Sequence, residues 1–92
     1  MLQVTTTVTY RKAYKRLLYS GNFPVEEVVS IVDTLASGRA LHPKYRDHAL
    51  HGEYLGFREC HIRGNLLLVY KIKDNNTTLL LYDIGSHSEV FE

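Results

Sequence analysis

At 92 residues, with 45% hydrophobic and 23% charged side chains, the chain has the make-up of an ordinary soluble domain and no room for a second core. Its net charge of +1 argues against a dedicated nucleic-acid binder, which is usually more basic. The lone Cys60 excludes an internal disulfide framework, no stretch approaches the ~20 apolar residues of a membrane span, and the N-terminus lacks a basic region followed by an apolar run, so residence in the cytoplasm is expected.

Leu2, Val4, Thr6 and Val8 alternate with Gln3, Thr5, Thr7 and Thr9, a period-two pattern that predicts a strand. From Tyr10 the period changes. Tyr10, Tyr14, Leu17 and Leu18 share a helical face, with Arg11, Lys12, Lys15 and Arg16 on the rest, until Ser20-Gly21-Asn22 breaks the helix. Pro24, preset for a first helical turn, and Glu26 and Glu27, favoured there by the helix dipole, open a second helix. Its apolar stripe is Val25, Val28, Val29, Val32, Leu35 and Ala36, and Ser37-Gly38 ends it. The two form an αα-hairpin.

Arg39 to Glu53 reads as irregular, and a loop this long in a compact domain is usually functional. Tyr54 to Ile62, Leu66 to Ile72 and Thr77 to Tyr82 read as strands, with tight-turn chemistry at Arg63-Gly64 and Asp74-Asn75-Asn76. The continuously apolar run from Leu66 to Tyr70 marks the central strand. The order is β-α-α-β-β-β over residues 1–92. It predicts one α+β domain, with two N-terminal helices packed on one face of an antiparallel sheet.

Three histidines stand in the C-terminal half. His48 lies in Tyr45-Arg46-Asp47-His48-Ala49-Leu50, His61 ends Gly56-Phe57-Arg58-Glu59-Cys60-His61, and His87 lies in Ile84-Gly85-Ser86-His87-Ser88-Glu89-Val90-Phe91. Histidine gives or takes a proton near neutral pH without large tuning. Lys44, Arg46, Arg58, Arg63, Lys71 and Lys73 fall in the same half, so the pattern points to proton transfer on an anionic substrate. A metal site is a competing reading. His48 and His51 are three apart, and His42, Cys60, His61 and His87 offer further donors, but no standard zinc spacing appears. Cys60 and His61 are neighbours as nucleophile and base would be, yet adjacent strand residues point to opposite faces, so the two are not expected to meet.

These segments, together with Leu68-Val69-Tyr70-Lys71, resemble the YafQ branch of the RelE/ParE toxin superfamily, and the element order resembles its RelE-like microbial RNase-type fold. The resemblance spans nearly the whole chain, strongest from His42 to Phe91. It implies the toxin of a type II toxin–antitoxin system: a ribosome-dependent mRNA endonuclease, or mRNA interferase, that inhibits translation. It further implies a cognate antitoxin, a toxin–antitoxin hetero-oligomer, and no cofactor. By position, His48, His61, His87 and Phe91 match the family's active-site residues, and Glu59 stands where the family tends to carry an acid. Two positions depart from the pattern: Asn65 where an Asp is frequent, and Asp83 where an Arg is frequent.

RNA carries its own nucleophile, the 2′-hydroxyl. Cleavage needs a base, an acid and cations for the charge that builds on phosphorus, and no metal is obligatory. His48 is expected as base and His87 as acid, roles that sequence alone leaves exchangeable, with His61 and Arg63 on the scissile phosphate. Phe91 either stacks on an unpaired base or anchors the C-terminus. Arg58 either contacts phosphate or pairs with Glu59 or Asp47. Lys15 and Arg16 are expected on ribosomal RNA, their alternative being a solvated face. The alternative to an enzyme is a toxin-like module that binds antitoxin or ribosome without cleaving, which Asn65 and Asp83 favour.

Overall fold

The structure, a computed structural model, describes residues 1–91. A five-stranded sheet in the order β1-β5-β4-β3-β2 is built from β1 (Gln3–Thr6), β2 (His48–Ala49), β3 (Arg58–Arg63), β4 (Leu66–Lys73) and β5 (Thr78–Gly85). The helices are α1 (Val8–Leu18), α2 (Val25–Ala36) and the single-turn α3 (His87–Phe91), with 3₁₀ turns at Pro43–Tyr45 and Gly52–Tyr54. The α+β reading holds. The sheet is mixed rather than antiparallel, however, because β1 pairs parallel with β5, Gln3 opposite Thr78 and Thr6 opposite Leu81. The reason is the helix that follows. β1 runs straight into α1, which packs on β5, and the opposite strand direction would carry α1 off the other end of the sheet.

The first strand ends earlier than its alternation suggests because Thr7 is a helix cap. Its hydroxyl accepts from the Tyr10 N–H at 2.9 Å and donates to the Tyr82 carbonyl at 2.6 Å, so α1 starts at Val8. The loop before β3 contains a strand that sequence periodicity missed. Two residues are too few to show a period, yet His48 pairs with Glu59 and Ala49 with Arg58. β3 begins at Arg58 rather than Tyr54 because the 3₁₀ turn and Gly56, at φ 95°, interrupt extension. At the β4–β5 turn, Asp74, Asn75 and Asn76 all take left-handed φ of 56–64°, a conformation that Asp and Asn tolerate.

Alternation along the strands sorts the two faces of the sheet. Cys60, Ile62, Leu68, Tyr70, Leu79, Leu81 and Ile84 pack with Tyr10, Ala13, Val28, Ile31 and Leu35 of the helices. An irregularity between Val69 and Tyr70, opposite Asp83 and Leu81, lets Leu81 and Ile84 point the same way despite their odd spacing. Glu59, Leu67 and Val69 are buried outside that helix-covered core, as is Val90 of α3. Among the described residues no helix is long and apolar enough to cross a membrane.

Gly85 sets the turn from β5 into α3. Its φ is +157°, and a Cβ there would meet Glu89 Oε1 at 3.0 Å and Glu89 Cβ at 3.3 Å. Gly85→Ala is expected to destabilise the fold by about 1–3 kcal/mol through strain at this position, measured by urea denaturation. An unchanged midpoint would show that α3 can move away freely.

Candidate active site

His48, Glu59 and His61 come together on the face away from α1 and α2. Cross-strand pairing sets one row through His48, Glu59, Val69 and Asp83, and the next through His61, Leu67 and Gly85. Glu59 is buried to 7% side-chain exposure, and its Oε1 faces both rings: His61 Nε2 at 3.2 Å, within hydrogen-bond reach, and His48 Nε2 at 3.7 Å. The ring centroids lie 6.2 Å apart. A buried carboxylate needs such partners, since an unpaired one carries a large desolvation penalty.

The other ring nitrogens fix the protons. His48 Nδ1 lies 2.6 Å from the Arg46 carbonyl. A carbonyl only accepts, so Nδ1 carries the hydrogen and the neutral ring presents a bare Nε2. His61 Nδ1 lies 3.2 Å from Arg46 Nη2. A guanidinium only donates, so Nδ1 accepts and His61 holds its proton on Nε2, toward Glu59. The two imidazoles are therefore chemically distinct, one a ready base and the other a ready donor.

The segment bearing His48 is pinned from below. Asp47 Oδ1 accepts from the Tyr70 hydroxyl at 2.5 Å and from Arg58 Nε at 3.2 Å. Tyr70 is fully buried. Burial, then the bond to Asp47, pushes its phenol well above the usual range, so it remains a donor. Burial works against the Arg58 charge, but Tyr70 and Asp47 outweigh it and raise its pKa. Arg58 thus takes the Asp47 alternative, not Glu59. Farther along, Glu27 of α2 accepts from the Tyr45 hydroxyl at 3.2 Å and Arg63 Nε at 3.1 Å. Arg63 is therefore committed to the helix side and is not brought to the histidine pair, because the irregularity between His61 and Arg63 in the β3–β4 pairing turns it away.

His87 is exposed at the start of α3, its ring 5.1 Å from Phe91. Among the described residues no hydrogen bond or ion pair joins it to His48 or His61. The sheet places Gly85 two strands from His61, about 10 Å, and His87 follows two residues later. Phe91 continues into an aromatic cluster, edge-on to Tyr54 at 5.1 Å, with Phe57 against Tyr82 at 4.6 Å. Phe91 is thus partly buried among rings and partly open. α3 itself is held by a reciprocal cap. Glu89 Oε1 accepts from the Ser86 N–H at 2.8 Å, and Ser86 Oγ from the Glu89 N–H at 3.2 Å. Arg16 of α1 reaches Glu89 at 3.4 Å, while Lys15 is exposed.

The sequence reading named Asp47 as a partner for Arg58 and counted Arg46 among the nearby cations without a role, and it missed Tyr70 and the aromatic partners of Phe91. The Ser86-x-x-Glu89 spacing was a legible cap signal, while Tyr70 in an apolar strand gave none. Cys60 lies in the helix-side core with its thiol pushed by burial up to about 12, which makes it inert as a nucleophile. Among the described residues no group of three or more His, Cys, Asp or Glu is arranged to hold a metal ion.

Residues 2–92 match the family described as bacterial toxin of type II toxin–antitoxin system, YafQ. The chain belongs to that family. It is 36% identical over 63 residues to the YafQ protein of Haemophilus influenzae, a segment that covers 66% of this chain and 62% of that protein. It is 35% identical over 48 residues to the mRNA interferase toxin YafQ of Escherichia coli, covering 51% and 49%. The aligned segments thus span less than two thirds of these curated relatives. Solved structures match end to end. A metal-bound toxin from Helicobacter pylori superposes with a TM-score of 0.91 at 44% identity, covering 99% of this chain and 100% of that one. The Escherichia coli DinJ–YafQ complex superposes with a TM-score of 0.88 at 20% identity, covering 100% of both chains, which shows the shared fold.

Two outcomes follow. Tyr70→Phe is expected to destabilise the fold by about 1–3 kcal/mol, because a partly buried carboxylate loses a donor, and to speed amide exchange selectively at residues 46–49; uniform protection would sink the anchoring role. The Ser86 N–H, then the Ser86 hydroxyl and Arg16, lower the Glu89 pKa. The cap's contribution is therefore fully present above the unfolded value of ~4.3 and is lost as pH falls through the lower folded one. Amide exchange of α3 below pH 4 checks the sign.

Proposed function

We propose that this chain is a ribosome-dependent mRNA endonuclease that inhibits translation in the cytoplasm and is neutralised by a cognate antitoxin within a hetero-oligomer. The observation that carries the reading is the pair of oppositely prepared imidazoles around buried Glu59. Its support is family membership, the interferase name of the Escherichia coli relative, and that organism's toxin–antitoxin complex.

In this mechanism His48 Nε2 takes the proton of a ribose 2′-hydroxyl, whose oxygen attacks the adjacent phosphorus. The 5′-oxygen leaves with a proton from His87. His61 Nε2–H turns from Glu59 to a non-bridging phosphate oxygen, while the Arg46 carbonyl holds the His48 ring through Nδ1. Phe91 stacks on a base next to the cut through its open side. Lys15 and Arg16 contact the RNA backbone of the ribosome. Arg58 acts through Asp47, by holding the His48 segment, rather than on phosphate. No step needs a metal, since RNA supplies its own nucleophile.

Asp83 favours the second reading, a binding module without cleavage. The residue lies in the Glu59 row, its carboxylate accepts from the Ile84 N–H at 2.8 Å, and burial raises its pKa against that bond and Arg16. An mRNA translated in extract, with cuts mapped by primer extension, separates the two. The parent is expected to cut only with ribosomes present, and His48→Ala and His87→Ala each to reduce cutting roughly 10²–10⁴-fold at unchanged melting temperature. A folded parent that makes no cuts would leave the binding module.

A further inference from the structure

We propose that Arg46 is a catalytic residue of this site, its guanidinium being the cation that takes the scissile phosphate; the proposal rests on the nuclease reading. The chain's arginines separate by what holds them. Arg16 faces Glu89, Arg58 faces Asp47 and Arg63 faces Glu27. A phosphate at any of these must displace a carboxylate. Arg11 rests on Thr6 and Arg39 on Ser37, in β1–α1 and after α2, on segments that carry none of the three histidines. Arg46 alone touches the histidine pair, and the described ion pairs give it no carboxylate.

Its partner there is a neutral acceptor, His61 Nδ1 at 3.2 Å. A bond from guanidinium to phosphate is charge-assisted and bidentate, so exchanging an imidazole nitrogen for a phosphate oxygen is favourable. The side chain is also exposed and loses little hydration in doing so.

The backbone is consistent with a fixed position. Arg46 takes φ 49° and ψ 46°, the left-handed region, as the cap of the Pro43–Tyr45 turn. A non-glycine residue there is uncommon. Glycine would suit the turn better, so the turn alone does not explain the side chain. That same turn aims the Arg46 carbonyl at His48 Nδ1 and the guanidinium at His61. One residue thereby prepares the base through its carbonyl and brings positive charge beside it through its side chain.

The test uses the turn's own preference. Arg46→Gly keeps the backbone and the carbonyl while removing the cation; Arg46→Lys keeps a charge but not the fork. Single-turnover cleavage of mRNA on purified ribosomes is measured for both beside the parent, with and without millimolar guanidinium ion. Arg46→Gly is expected to melt no lower than the parent and to cleave roughly 10²-fold more slowly at saturating ribosomes. Arg46→Lys should fall between, and added guanidinium should restore part of the Gly variant's rate while leaving the parent unchanged. Cleavage by Arg46→Gly within threefold of the parent, or a loss that guanidinium does not relieve, overturns the assignment. A parent that does not cleave at all overturns the nuclease reading, and the role of Arg46 goes with it.

Discussion

Glu59 is a buried carboxylate on the face of the sheet away from α1 and α2. On its strand, Cys60 and Ile62 belong to the helix-covered core, and strict alternation sends Glu59 and His61 to the other face. There Glu59 sits between buried Val69 on β4 and His48 on β2. Such a charge is tolerated only if it is met by a donor, and His61 Nε2–H meets it at 3.2 Å, while His48 Nε2 stands 3.7 Å away. The register of the two-residue β2 puts His48 opposite Glu59. The buried acid therefore lies between the two rings, with His61 as its hydrogen-bond partner.

Arg46 completes the arrangement from the opposite side of both rings. Its carbonyl and guanidinium impose opposite hydrogen-bonding roles on His48 Nδ1 and His61 Nδ1. Without that asymmetry the two histidines would be equivalent candidates for any proton. With it, only His48 presents a lone pair at Nε2 in the neutral state, and only His61 presents a hydrogen there. The roles follow from what a carbonyl and a guanidinium are able to do, independent of any titration value.

Legibility differed by element. α1, α2, β4 and β5 could be read because each is long enough to show its period, and because Gly38 and the Asp74–Asn76 turn mark their ends. The parallel pairing of β1 was not legible, since alternation gives a strand but not its direction. β2 and α3 were not legible by period, having two and five residues. The histidines were found through their motif settings. Arg63 was expected on the phosphate beside His61, although it was read as part of the Arg63-Gly64 turn. The strand continues to Arg63, and the irregularity after His61 delivers its side chain to Glu27.

The same brevity has an energetic consequence. Neither a single helical turn nor a two-residue strand is stable alone. β2 is held by Asp47 on Tyr70 and Arg58, and α3 by the Ser86–Glu89 cap, buried Val90 and the rings around Phe91. The main core lies on the other face, built from α1, α2 and the central strands. Stability and chemistry therefore reside largely on separate faces of one sheet. The elements that bear His48 and His87 can shift or loosen at little expense to the core. Polar side chains set their positions, and those positions decide whether base, acid and cation meet one phosphate together.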